Sequence, residues 1–173
     1  MSSSGDRGET FIPRVGRVRK SHPRVEAFGE VDELSSFIGL ARSAVKDPHL
    51  ESILKTVQES LFHVGAYLAL PSHPLDKLRE NNEKIKNWIA EIRSELPPLQ
   101  RFIFPSGAFE ASLLHVCRAV ARRAERSVAG LAEFEEVDET VTTFLNKLSL
   151  LLFLLARLVN KKTGFEEEEW KAL

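Results

Sequence analysis

Four arginines lie close together in the segment HVCRAVARRAERSVAGL, residues 115–131 of this 173-residue chain. An arginine stays charged at any relevant pH and donates two parallel hydrogen bonds, a geometry that suits phosphate. On a helix that turns about 100 degrees per residue, an arc of about 100 degrees contains five polar side chains, those of His115, Arg118, Arg122, Glu125 and Arg126. The pattern favours either a clamp for a triphosphate or a solvent-exposed helix face on which Glu125 pairs with a neighbouring arginine.

Arg123, His115 and Cys117 of this helix each have a separate prediction. Arg123 lies beyond the edge of the polar arc. His115, considered alone, is predicted to be a hydrogen-bonded interface histidine rather than a catalyst. Cys117 lies on the apolar side of the helix, where a thiol is predicted to belong to the core.

A second candidate is the segment SGDRGET, residues 4–10. Its glycines permit a close backbone approach and Thr10 supplies a hydroxyl, as in phosphate-binding loops. Neither G-x-x-x-x-G-K-[ST] nor a strand followed by G-x-G-x-x-G is present, so an ordinary turn is the alternative. Residues 1–28 carry six arginines and lysines against three carboxylates, which predicts either an anion-binding segment or a solvated tail.

Three more places combine polar and apolar residues in unusual ways. FIFPSG, residues 102–107, ends an apolar stretch in a Pro-Ser-Gly turn, and simple packing is the alternative. Asn146 interrupts an apolar helix, where a buried amide would need a partner. Asp32, Ser35 and Ser36 form a small polar stripe on another helix, with tight helix packing as the alternative.

Composition limits the classes of protein to which this chain can belong. It has 43% hydrophobic and 28% charged residues and a net charge of -1, which excludes a disordered tail and a basic nucleic-acid packer. The single cysteine and the lack of zinc-ligand spacing predict no disulfide, no structural metal and a reducing, cytoplasmic location. We expect no membrane contact, because no signal-peptide core is present and the longest apolar run, residues 150–156, is shorter than the roughly 20 residues of a span.

Five segments have the period of a helix, so we expect an all-α, up-and-down five-helix bundle without strands in a single domain. The first begins at Val31 and ends before the dipeptide Asp47-Pro48. The predicted order is an N-terminal loop segment (1–28), the bundle (29–161) and a solvated acidic tail (162–173). The other four helices are expected at about residues 50–68, 75–96, 108–131 and 137–161.

Taken in order, these motifs resemble the PduO-type ATP:cob(I)alamin adenosyltransferases, a ferritin-like bundle family, over nearly the whole chain. SGDRGET and RVRKSHPRVEAFGEVDELSSFIGLAR are similar to the family's T-G-D-x-G-x-T and R-V-x-K-x-x-x-R-V-E-A-x-G-x-V-D-E-L motifs. FIFPSG, RAVARRAER and FLNKLSLLLF are similar to F-x-x-P-x-G, R-x-x-x-R-R-A-E-R and L-N-R-L-S-D-L-L-F. Together and in this order, the motifs are much more specific than any one of them.

The resemblance implies a homotrimer with ATP bound between subunits, Mg²⁺ bound with the ATP, and cob(I)alamin as co-substrate. It assigns Phe102 and Asp32 to the cobalamin side, Arg118 to an ion pair with Asp32 of the neighbouring subunit, and Asn146 to ATP or its magnesium. Catalytic roles fall on Arg122, Phe102, Arg118 and Asp32. The implied ATP-binding residues are Ser2, Ser3, Ser4, Gly5, Asp6, Gly8, Thr10, Lys20, Arg122, Arg123, Ala124, Glu125, Arg126 and Asn146.

The chain departs from the family pattern at a few positions. Leu150 replaces the usual aspartate, and Ser2 to Ser4 replace Thr-Lys-Thr. A member that binds and delivers cobalamin without catalysis is therefore one alternative, and a helical protein that binds nucleic-acid phosphate is another. The near-neutral charge disfavours nucleic acid. A reductase and a cobalamin-dependent enzyme are further partners that the resemblance suggests.

Overall fold

The computed structural model of this protein describes residues 4–171. The predicted ATP contacts of Ser2 and Ser3 lie outside these residues. The described chain contains five α-helices, a short 3₁₀ turn and a two-stranded antiparallel hairpin. The turn is Ser4–Arg7, the strands are β1 (Glu9–Ile12) and β2 (Gly16–Arg19), and the helices are α1 (Pro23–Ala44), α2 (Pro48–Ala69), α3 (Asp76–Glu95), α4 (Phe109–Leu131) and α5 (Glu139–Thr163).

The first helix begins at Pro23, earlier than the predicted Val31. Proline is favoured in the first turn of a helix because its fixed φ suits the helix and its missing N–H needs no partner there. The side chain of His22 caps this turn by accepting a hydrogen bond from the backbone N–H of Arg24 at 3.2 Å. The prolines that made this segment look like a loop are therefore compatible with a helix start.

The N-terminal hairpin was not predicted, and the expectation of a chain without strands is wrong here. Glu9 pairs with Arg19 and Ile12 pairs with Gly16 across the two strands. Arg14 in the connecting turn has a φ of 65 degrees and Gly16 a φ of 98 degrees. Each strand has only four residues, and Ile12 is the only buried one among them. Strands this short do not show the alternation of apolar and polar residues from which a strand is predicted.

Contacts between helix ends establish the predicted up-and-down order. Arg42, late in α1, pairs with Glu51, early in α2. Two turns further along α2, Gln58 donates to the Ser35 carbonyl at 3.0 Å, so these helices are antiparallel. Asn82, early in α3, donates to the Thr140 carbonyl at 3.1 Å, and Lys161, late in α5, donates to the Glu95 carbonyl at 2.6 Å, so α3 and α5 run parallel. The prediction of a five-helix bundle is confirmed.

Helix α5 lies against α3 and α4 and supplies a large share of the core. By length and composition it is the one helix of the described chain that could cross a membrane, and 67% of its most apolar window is buried inside the protein. A core helix of this kind passes the same test, so α5 carries no argument for a membrane.

Most residues of the predicted acidic tail are exposed, and hydrogen bonds tie the tail to the loop that precedes α4. We name residues 165–170 the C-terminal segment. The backbone N–H of Phe104 donates to the Glu168 carbonyl at 2.9 Å, and that of Trp170 donates to the Phe102 carbonyl at 2.7 Å. Arg157, whose side chain is 5% exposed, donates to both carboxylate oxygens of Glu167 at 3.0 Å. Among the four glutamates 166–169 only Glu167 is half-buried, because the buried guanidinium ten residues earlier pairs with it.

Arg24 fastens the first turn of α1 to the rest of the bundle. Its guanidinium, 3% exposed, donates to both carboxylate oxygens of Glu135, just beyond α4, at 2.9 and 2.7 Å. It also donates to the carbonyl of Leu68 at 2.7 Å. This cation, counted among those of the basic N-terminal segment, therefore has a structural role.

We expect Arg24→Ala to lower the free energy of unfolding by about 2–4 kcal/mol, because it leaves the Leu68 carbonyl and the Glu135 carboxylate without their donor. Urea unfolding followed by circular dichroism measures the change. Arg17→Ala is the control, since the exposed pair of Arg17 with Glu9, at 3.6 Å, is expected to contribute little. Equal losses in the two variants would contradict this structural role for Arg24.

Candidate active site

A cleft of about 740 Å³ lies between the loop 99–105 and the helices α4 and α5. It brings together three of the four residues predicted to be catalytic, namely Phe102, Arg118 and Arg122. No carboxylate of residues 4–171 lines it. The lining residues are Leu99, Gln100, Arg101, Phe102, Ile103, Pro105, His115, Arg118, Arg122, Ser149, Leu150 and Phe153.

The loop holds Phe102 in an exposed position, with 79% of the residue accessible. The C-terminal segment supports it through the hydrogen bond from Trp170 to the Phe102 carbonyl and through an edge-to-face contact of the two rings, whose centroids are 6.5 Å apart. Arg157 fixes the start of the loop by donating to the Pro97 carbonyl at 3.0 Å. The aromatic ring is thus presented to the cleft by backbone contacts on both sides.

The arginines of α4 make the cleft electropositive. Arg118 is half-buried, and its Nε has no hydrogen-bond partner among the described residues. Burial, followed by the charge of Arg122, lowers the pKa of Arg118. Arg122 is exposed at the mouth of the cleft, and its carbonyl accepts a hydrogen bond from Arg126 Nη1 at 3.1 Å. An anionic group would satisfy both the charge and the open donor.

His115 does not have the hydrogen bond that the sequence suggested. It is 4% exposed, and neither ring nitrogen has a partner within the described chain. Burial and then the nearby Arg118 charge lower its pKa from 6.5 to about 4, so the imidazole is neutral at pH 7. Its ring centroid lies 6.0 Å from that of Phe153. Cys117 does belong to the core as predicted, and burial raises the pKa of its thiol to about 12.

Arg123 and Ala124 face away from the cleft. Arg123 Nε donates to Glu30 at 2.6 Å and a second nitrogen pairs with Glu33, which raises the pKa of the guanidinium. These ion pairs join α4 to α1, so the guanidinium already has carboxylate partners. Ala124 is fully buried in the core, so its side chain does not reach the cleft, and its predicted part in ATP binding stays a prediction. Glu125 is half-buried, between the two faces of the helix.

The N-terminal candidates form a group of their own. Lys20 donates its backbone N–H to the Gly8 carbonyl at 2.8 Å, and Gly8 donates to the Gly5 carbonyl at 3.3 Å. These bonds close the turn that contains Asp6 at the end of the hairpin. Thr10 lies in β1 and lines a separate pocket of about 190 Å³ against α1. None of these residues lines the cleft.

Asp32 and Asn146 also lie outside the cleft. Asp32 is exposed and lines a pocket of about 270 Å³ between α1 and α2. Asn146 is exposed, so the interpretation of it as a buried amide in need of a partner is wrong. The buried asparagine of α5 is Asn160, which accepts from the backbone N–H of Ala108 at 3.0 Å and donates to the Ser106 carbonyl at 3.0 Å.

Sequence reasoning missed Asn160, which positions the entry to α4. A side chain at Gly107, whose φ is 131 degrees, would collide with its amide. The Pro-Ser-Gly turn was the available signal, since a glycine before a helix often marks a close approach of the backbone to another group. No group of three or more metal-ligating side chains occurs within residues 4–171.

The low pKa of His115 leads to a titration prediction. Its imidazole signal should titrate near pH 4, as measured by NMR of the ring protons and assigned with His115→Gln. Below about pH 6.5 the histidine binds a proton in the unfolded chain but stays neutral in the folded one. The free energy of unfolding should therefore decrease as the pH is lowered from 6.5 to 4. That decrease should be smaller in His115→Gln. A midpoint near 6.5 would contradict the buried, neutral ring.

Comparison with known proteins agrees with this arrangement. The cobalamin adenosyltransferase family model matches residues 1–159. The corrinoid adenosyltransferase of Bacillus subtilis is 40% identical over 98% of this chain and 91% of its own, and that of Homo sapiens is 39% identical over 96% and 71%. A variant of the PduO-type ATP:corrinoid adenosyltransferase from Lactobacillus reuteri, solved with ATP, superposes with a TM-score of 0.90 at 32% identity over 99% of both chains. Another variant, complexed with cobalamin and ATP, gives 0.89 at 31% identity. The chain therefore belongs to the cobalamin adenosyltransferase family.

Proposed function

We propose that this protein transfers the 5′-deoxyadenosyl group of ATP to the cobalt of cob(I)alamin, giving adenosylcobalamin and triphosphate. The observation that carries the proposal is the cleft that joins an exposed Phe102 with Arg118 and Arg122 in a member of this family. The reaction needs an apolar wall for a corrin ring and fixed positive charge for a triphosphate. This cleft has both.

The chemical step requires no protein nucleophile. The electron pair of Co(I) attacks the ribose C5′ atom, a Co–C bond forms, the C5′–O bond breaks, and triphosphate leaves with that bonding pair. The charge that develops on the bridging oxygen is stabilised by positioned cations, for which Arg122 is placed at the mouth of the cleft. Holding the two substrates in contact supplies much of the remaining acceleration.

Phe102 provides the apolar surface on the cobalamin side. Its exposed ring and the neighbouring Ile103 and Leu99 offer the lower face of cobalamin no polar ligand. A wall of this kind disfavours the axial base on that side of the cobalt and so assists reduction to Co(I). Leu150 extends the apolar surface in the place of the aspartate that is usual in the family.

Mg²⁺ would accompany the ATP. The exposed amide oxygen of Asn146 is a hard ligand of the type that Mg²⁺ accepts, and phosphate oxygens and waters would supply the remaining ligands. When bound, the ion would neutralise charge on the triphosphate. Asn146 would hold the nucleotide end that carries this ion.

We further propose that the active site is completed by a neighbouring subunit in a homotrimer. Asp32 and the N-terminal hairpin lie outside the cleft of their own chain, while Arg118 Nε within the cleft lacks a partner in the described chain. Exposed apolar side chains surround Asp32 on α1 and α2, with Phe28 43% and Phe62 71% accessible. A neighbour's Asp32 would pair with Arg118 and bring ATP to the cleft.

The cellular setting is proposed on the same basis. A cytoplasmic location fits a lone, buried cysteine. A reductase would supply the Co(I) state, and a cobalamin-dependent enzyme would receive the product. The non-catalytic carrier remains the second candidate, favoured by Leu150 in the cleft.

Purified protein with Mg²⁺, ATP and chemically reduced cobalamin is expected to form the light-sensitive spectrum of adenosylcobalamin. Arg122→Ala should abolish turnover without changing the melting temperature, because the side chain is exposed in the cleft. Arg93→Ala, an exposed arginine of α3, is the matched control. Cobalamin binding without product in the parent protein would favour the carrier, and full turnover by Arg122→Ala would refute the phosphate clamp.

The proposed intersubunit ion pair predicts a charge-reversal rescue. Arg118→Asp and Asp32→Arg are each expected to lower turnover at least about tenfold, because each places like charges across the contact. The doubly substituted chain should regain part of that loss, since opposite charges face each other again. Turnover is measured together with the assembly state by light scattering. If the turnover of the double variant falls by the product of the two single losses, the two residues do not contact each other.

A further inference from the structure

His115 occupies an unusual position in the wall of the cleft. Only 4% of the residue is exposed, and both ring nitrogens lack hydrogen-bond partners in the described chain. Phe153 packs against the ring at a centroid distance of 6.0 Å. The proposed chemistry does not use this residue, although it lines the same cleft as Phe102 and Arg122.

A buried imidazole without hydrogen bonds destabilises the wall of the cleft. Leaving a buried polar group without a hydrogen bond destabilises the folded protein, whereas an apolar ring of similar shape carries no such penalty. A ligand in the cleft that hydrogen-bonds a ring nitrogen would remove this destabilisation. Both ring nitrogens are buried in the unliganded chain, so a ligand in the cleft reaches one of them when the imidazole or the neighbouring Phe153 ring turns.

The surroundings determine the form of the ring. From its own helix, Arg118 and Arg122 face the cleft, and Arg101 does so from the loop. Helix α5 contributes Ser149, Leu150 and Phe153, and none of the lining residues is a carboxylate. Glu169, which pairs with Arg101 at 3.7 Å, is not among the lining residues. Beside the arginines of α4 the imidazole stays neutral and offers one N–H donor and one nitrogen acceptor.

A primary carboxamide complements either of these groups. One amide reaches only one of the two ring nitrogens, because these point in divergent directions. Its oxygen accepts from the N–H nitrogen, or its N–H₂ donates to the acceptor nitrogen. A corrin ring carries primary carboxamides around its periphery, while a triphosphate offers only acceptors and suits the arginines. The adenine of ATP also has a donor and an acceptor, but the hairpin and Asn146, proposed to bind ATP, lie outside the cleft of this chain.

We infer that His115 is a corrinoid-binding residue that hydrogen-bonds a peripheral carboxamide of the corrin ring. The inference rests on the proposed function, because it takes a corrinoid as the occupant of the cleft. It assigns to the inner wall of the cleft a polar contact that orients the ring, beside the apolar contact of Phe102.

Three variants test this assignment. His115→Phe keeps the ring shape without nitrogens, His115→Asn keeps one donor and one acceptor, and His49→Phe changes an exposed histidine at the start of α2 as the control. Calorimetric titration measures the Kd for aquacobalamin, for cobinamide and for ATP, and scanning calorimetry measures the melting temperature. Cobinamide keeps peripheral carboxamides and lacks the lower base, so it separates these two parts of the ligand.

We expect His115→Phe to weaken both corrinoids about tenfold, which corresponds to the loss of one hydrogen bond to a buried group. His115→Asn should stay within about threefold of the parent, and ATP affinity should not change. The melting temperature of ligand-free His115→Phe should equal or exceed that of the parent, because an unsatisfied polar group has been removed. Weaker binding with undiminished stability separates a ligand contact from a structural role.

Other outcomes overturn the inference. Corrinoid affinity within twofold of the parent in His115→Phe would show that the ring contacts no ligand. A loss of ATP affinity alone would assign it to the nucleotide, and a loss for aquacobalamin but not cobinamide would assign it to the lower base. A joint loss of binding and melting temperature would make the residue structural. Because corrinoid binding is measured without turnover, a parent protein that binds cobalamin but makes no product would refute the proposed function alone.

Discussion

The buried guanidinium of Arg157 is the constraint on which the shape of the cleft depends. A charge removed from water must be paired and hydrogen-bonded, and this one reaches both the Glu167 carboxylate and the Pro97 carbonyl. It also lies 6.0 Å from the centroid of Phe153. The loop that carries Phe102, the C-terminal segment that supports it and one wall of the cleft are therefore joined through a single side chain of the central helix.

Helix α4 has three chemical faces. One packs into the core, one holds α1 through the pairing of Arg123 with Glu30 and Glu33, and one presents Arg118 and Arg122 to the cleft. Arginines that look equivalent in the motif RAVARRAER differ in what they meet. The division follows from the helical period, since adjacent residues point about 100 degrees apart.

The sequence predicts well what depends on periodicity. Five helices, their order and the shared face of Arg118 and Arg122 all follow from spacing along one segment. What it does not predict depends on tertiary contacts, which periodicity along one segment does not encode. The acidic segment near Glu167 is ordered because Arg157 is buried beneath it, and Asn160, rather than Asn146, is the buried amide because the loop before α4 crosses α5 there. The meeting of Asp32 with Arg118 stays a prediction, because the site that it describes involves more than one chain.

The amide of Asn160 sets the angular position of the arginines. It binds the backbone on either side of Gly107, where a Cβ atom would collide with it, and so fixes the residue at which α4 begins. Each residue of a helix adds about 100 degrees of rotation. A shift of one residue at this entry would turn Arg118 and Arg122 out of the cleft and bring their neighbours in. The rotational position of α4 is thus set by a glycine just before its first turn and by an amide of α5, neither of which lines the cleft.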